Sequence, residues 1–115
     1  NLIDLFDIIL DALQSTTINK SIIELADILS KLDNDKFRSY LSLIKTLLII
    51  INKIKNGNIL DNSYKSNKFI NLKKSINNIT YNNIVDRFEF LSKNESDLFT
   101  YNLDKKLFIL NFLTT

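Results

Sequence analysis

Cysteine, histidine, proline, methionine and tryptophan are all missing from this 115-residue chain, and glycine occurs once, at Gly57. The first two absences remove disulfide frameworks, zinc fingers, thiol nucleophiles, Ser-His-Asp triads and every imidazole base or metal ligand. One glycine cannot build a phosphate-cradling loop, which needs several for tight turns and close backbone approach. The expectation is a chain that is not an enzyme and holds no cofactor.

A strong charge of either sign is also lacking. Fifteen basic residues face thirteen acidic ones, for a formal net charge of +2, far from the balance of a dedicated nucleic-acid binder. Long apolar runs are scarce: the longest, Leu47 to Ile51, is flanked by Lys45 and Lys53, whereas a bilayer needs about 20 apolar residues. The apolar start carries Asp4, Asp7 and Asp11 and no basic region of the kind that opens a secretory signal. A start at Asn1 with no methionine is expected of a piece of a longer product. A chain of this mass buries roughly 13,000 Å² on folding, enough for one domain, residues 1–115, without cross-links.

What is abundant is Leu, Ile, Asn and Lys. With no proline to break them, the apolar positions follow helical spacing and predict an all-α, compact bundle of about five to six helices. The first helix spans Leu2 to Leu13, with Leu2, Leu5, Phe6, Ile9 and Leu13 inward and the three aspartates outward. Ser21 and Glu24 have the spacing of a capping box opening a second helix that ends near Leu32. The third, Asp35 to Lys55, is apolar nearly all round and is expected at the centre of the bundle, with Gly57 as its left-handed stop. Asn58 to Asn67 reads as a long loop, Asn67 to Ser75 as a short helix, and Thr80 to Tyr101 as a helix with a polar stretch at Ser92 to Asp97. Asn102 is the expected N-cap of a last helix whose inner face is Leu103, Leu107, Leu110 and Leu113.

Few residues suggest a site. Asp4 with Asp7 or Asp11, and Glu95 with Asp97, are the only acid–base pairs, and a solvated helix face explains the first set. Asp33, Asn34 and Asp35 resemble the opening of a calcium loop but lack its glycine and terminal Glu, so helix capping is the better reading. Lys65, Lys68, Lys73 and Lys74, with Tyr64 and Phe69 nearby, form a candidate nucleic-acid patch, against the plainer reading of a solvated face. Phe90 and Phe108 fall off the inner stripes, whereas Phe88, Phe99 and Phe112 suit the core; the stray pair hints at a partner surface.

Val85 to Leu113, VDRFEFLSKNESDLFTYNLDKKLFILNFL, resembles the end of the delta-prime subunit of the bacterial DNA polymerase III clamp loader, in its alphaproteobacterial form. A helix with aromatic residues leads to Asn102-Leu103-Asp104 and two basic residues, Lys105 and Lys106, before a short apolar helix. Ile23 to Ile54, IELADILSKLDNDKFRSYLSLIKTLLIIINKI, is similar to the family's short helix followed by a long apolar one with an early Phe, here Phe37. Where the family often carries tryptophan, Ile84 to Phe90, this chain has none. The resemblance implies a C-terminal collar domain of a longer, cytoplasmic AAA+ protein, partnered by the collars of other loader subunits and meeting DNA only indirectly or weakly, with no membrane and no metal. Catalytic residues would lie upstream. The expected partner contact is the last helix and its cap, with Asn102, Lys105, Lys106, Phe108 and Phe112 taking part and Phe108 and Lys105 or Lys106 pointing outward. A gamma/tau-like collar, or a stand-alone helical interaction domain unrelated to replication, would share the pattern.

Overall fold

Helices start where an oxygen-bearing side chain takes an amide proton that the first turn leaves without a partner. The computed structural model describes residues 2–14, 18–57 and 74–114, with side chains from Leu5 onward. In it α1 spans Leu2–Gln14. Asn19 precedes α2 (Lys20–Ser30) and accepts from the Ile22 amide at 2.9 Å. Asp33 precedes α3 (Asn34–Lys55), accepting from Lys36 at 2.9 Å. Thr80 does the same for α4 (Tyr81–Thr100) at the Asn83 amide, and Asp104 for α5 (Lys105–Leu113) at the Leu107 amide. A helical turn covers 74–77, and no strand occurs among the described residues. The protein is an all-α bundle.

Some expected boundaries change for local reasons. The extended residue before α2 is Asn19, so Ser21 sits inside the first turn and the capping box with Glu24 does not form; Glu24 instead meets Lys20 at 3.8 Å. Asp33, in the calcium-like triplet, is a helix cap. Gly57 stops α3 with φ +79°, as expected. Ser92 to Asp97 does not interrupt α4: Leu91 and Leu98, two turns apart, are both buried, and the polar residues between them face outward, bond back or, as Glu95 does with Lys45, reach across to α3. Asn94, for instance, donates to the Phe90 carbonyl at 2.9 Å.

Asn102 is not the cap of the last helix. Its φ of 51° makes it the left-handed residue that ends α4, with the Leu103 amide reaching back to the Leu98 carbonyl at 2.9 Å. Asparagine tolerates this conformation better than other side-chain-bearing residues. The chain thus reverses within Tyr101–Asp104 and starts α5 at once.

The centre of the bundle is α5 rather than α3. The short helix packs on α2, α4 and α1, and buries Phe108, Ile109, Phe112 and Leu113. In contrast α3 packs on α4 and α2 and leaves Ile49 and Ile50 44% and 41% exposed. The nine residues of α5 are too few to form a stable helix alone, so the helix depends on the burial of Phe108, Ile109, Phe112 and Leu113 against its neighbours.

The C-termini of α1 and α5 meet at one side chain of α4, Arg87, which is 2% exposed. Its Nη2 donates to the carbonyls of Ala12 at 3.3 Å and Leu113 at 3.1 Å, and its Nη1 to that of Asn83 at 3.2 Å. Asn83 adds a bond from Nδ2 to the Leu13 carbonyl at 3.2 Å. The carbonyls of Ala12, Leu13 and Leu113 lie in last turns, where they lack intrahelical donors and carry the negative end of the helix dipole. Burial pushes the Arg87 pKa below its ordinary value, with Asp86 pulling the other way. The group stays charged at any ordinary pH.

Replacing Arg87 by Met keeps the bulk and strands these carbonyls, so R87M is expected to lower the unfolding free energy by about 3 kcal/mol. Urea denaturation followed by circular dichroism reads this directly. An unchanged midpoint would show that the guanidinium contributes nothing net.

Candidate interaction surfaces

The residues expected to meet a partner turn inward or are already engaged. Phe108 is 6% exposed and Phe112 fully buried, and both rings lie beside Phe90, at centroid distances of 5.2 and 6.3 Å. Phe90 is itself half-buried in this cluster. The expected inner face of the last helix is rotated: Leu107 is 57% exposed and Leu103 largely so, while Leu113 stays inside. Starting α5 at Asp104 and pinning its end to Arg87 fixes this rotation, which spacing alone leaves open because apolar residues occur on both faces.

Lys105 and Lys106 hold the end of α2. Lys105 Nζ donates to the Leu32 carbonyl at 2.8 Å and stands 5.5 Å from the centre of the Phe37 ring. Lys106 approaches Asp27 at 3.7 Å, and Lys31 approaches the same carboxylate at 3.2 Å. Both lysines are half-buried rather than free for a partner. Asn102 is exposed but serves the turn. Of the lysine cluster, Lys65, Lys68 and Lys73 lie outside the described residues, and Lys74 is exposed beside the turn into Ile76.

The carboxylates are equally plain. Asp7 and Asp11 lie on the solvent face of α1, as expected, and the Asp4 side chain lies outside the described part. Glu95 forms an ion pair with Lys45 that ties α4 to α3, with both side chains mostly buried. Asp97 is exposed, and its backbone carbonyl takes the Tyr101 amide at the end of α4. No group of His, Cys, Asp or Glu able to hold a metal ion occurs among the described residues.

Among the described residues two clefts with apolar floors stand out. One, about 350 Å³, lies between α3 and α4 over Leu48, Ile49, Ile84, Val85 and Phe88, with Glu89 at its edge. The other, about 540 Å³, is walled by α1 and α2, and Tyr40 of α3 also lines it. A third recess near Arg38 is polar, and the Arg38 guanidinium there lies 4.2 Å from the centre of the Phe99 ring. Sequence spacing gave no signal for Arg87, and it marked Ile49 and Ile50 only as a widened stripe. No family model, curated protein or solved structure matches the chain.

Adjacent substitutions test the rotation of α5. F108A is expected to cost roughly 3–5 kcal/mol through the cavity it opens, and L107A within about 0.5 kcal/mol, as at ordinary surface sites. Thermal melts of the two variants decide it; equal losses would contradict the observed face.

Asp27 provides a test by pH. The hydrogen bond and charge of Lys31 hold its carboxyl below the ordinary 3.8, against a smaller opposing effect of desolvation, and Lys106 adds to the lowering. A depressed folded-state pKa contributes stability that is present above 3.8 and lost as pH falls through the folded value. Wild type is therefore expected to exceed D27N in melting temperature at neutral pH, with the gap closing only once the pH drops below 3.8. A gap persisting at the acid end would place the effect elsewhere.

Proposed function

We propose that this chain is a non-catalytic oligomerisation domain: the collar of a DNA polymerase III clamp-loader subunit, of delta-prime type. The observation that carries the reading is the apolar patch on the longest helix, where Ile49 and Ile50 stand exposed next to the cleft over Val85 and Phe88. Aliphatic side chains left in water on a well-packed helix are the usual material of an interface. The resemblance of Val85 to Leu113 and Ile23 to Ile54 to the delta-prime family supplies the partner: equivalent helical domains of the other loader subunits, joined head to tail as ring subunits are. On this reading the domain works in the cytoplasm and holds ATP-driven modules in register during loading of the sliding clamp. DNA is met only through those modules. No described helix is long and apolar enough to cross a membrane.

The contact face lies on α3 and α4 rather than on α5, whose aromatic residues are spent on the core. Reconstitution of the chain with the remaining loader subunits of the same genome is expected to give a co-eluting complex. I49K/I50K should weaken that association by roughly tenfold or more while leaving the melting temperature nearly unchanged. Separate elution of the wild-type chain from all loader subunits would overturn the reading; preferential replacement of the gamma/tau-like subunit would favour that type of collar instead.

A further inference from the structure

The cleft between α1 and α2 differs from the α3/α4 face in its charge. Its floor is aliphatic, built from Leu5 and Ile8 on α1 and Leu25 and Leu29 on α2. Its lip is Ile28, 62% exposed, the highest exposure of any described isoleucine. Asp7 and Asp11 stand along one wall and Glu24 on the other, and no lysine or arginine lines it. Glu24 has Lys20 at 3.8 Å, a solvent-exposed pair of the kind that contributes little; among the described residues Asp7 and Asp11 form no ion pair.

We infer that this cleft is a docking site for a basic amphipathic helix of a partner protein. The shape is that of helix-in-groove recognition, in which apolar residues at i, i+3 or i+4 and i+7 fill a trough between two helices. The charge selects the occupant. Asp7 and Asp11 are one helical turn apart, about 6 Å along the axis, which matches lysines or arginines spaced i, i+4 on a docked helix. Glu24 meets cations on its other flank. An acidic rim repels phosphate, so nucleic acid and anionic lipid are poor occupants. This inference stands independently of membership in a loader ring.

The test uses the full chain and a fluorescent designed helix of about two heptads, Leu on one face and Lys on the other, with a Leu/Glu helix of identical apolar face as its counterpart. Fluorescence anisotropy is expected to show saturable binding of the Leu/Lys helix and none of the Leu/Glu helix. D7N/D11N should weaken binding by roughly tenfold and flatten its salt dependence. I28S should weaken it without altering that dependence, and I49K/I50K should not weaken it. All these positions are exposed, so each variant is expected to keep the wild-type melt. No binding of the Leu/Lys helix, equal binding of both helices, or binding undiminished by D7N/D11N and I28S would each overturn the proposal. So would dimerisation of the chain abolished by I28S, which would assign the cleft to a second copy, or phosphatidylglycerol vesicles competing for it.

Discussion

A guanidinium taken out of water with no carboxylate in ion-pair contact is costly, and here its compensation comes from backbone. Arg87 receives the terminal carbonyls of α1 and α5, two helix ends that would otherwise be buried without donors. Each side satisfies a need of the other, so the three helices meet in one arrangement. The rest follows outward from this point. With its last carbonyl fixed to Arg87, its start set by Asp104, and Lys105 and Lys106 fastened to the end of α2, α5 is held at both ends. Its position then decides where α2 lies and which faces of α2 and α1 remain open to form the acid-rimmed cleft.

The helices were legible wherever a single apolar stripe repeats at helical spacing, as in Ile22, Leu25, Ala26 and Leu29 or in Phe37, Leu41, Ile44, Leu48 and Ile51. The glycine stop at Gly57 was legible because glycine takes up the left-handed turn without steric cost and directly follows the last turn of the apolar stripe. Less could be read in α5, where Leu107 and Phe108 are neighbours of equal apolarity and opposite fate. Rotation of a short, uniformly apolar helix is decided by its tertiary anchors, not by its own pattern. Arg87 was illegible for a related reason: an isolated arginine in a helix is ordinarily surface, and its partners lie 75 residues before it and 26 after. The same holds for Lys45 and Glu95, 50 positions apart.

The segment Asn102 to Lys106 that carries the strongest resemblance has, residue by residue, an architectural task. Asn102 turns the chain, Leu103 closes that turn by its amide, Asp104 caps the next helix and the two lysines bind it to α2. Such a motif marks a way of building the bundle, which is why surfaces for partners are better sought on other helices. The two apolar clefts differ in kind: one with a single carboxylate, Glu89, at its edge suits a large mutual interface, and one rimmed by Asp7, Asp11 and Glu24 suits a smaller cationic segment.

The central place of α5 also has a bearing on synthesis. Residues 105–113 are synthesised after the other described helices, at about 5–20 residues per second, and the Arg87 contacts to Ala12 and Leu113 cannot both exist before then. Until that moment the trough that will hold Phe108 and Phe112 lies open along α2 and α4, with Phe90 at its edge. Apolar surface on the other described helices thus stays open to aggregation until α5 has been made, and docking of α5 is the step that ends this exposure.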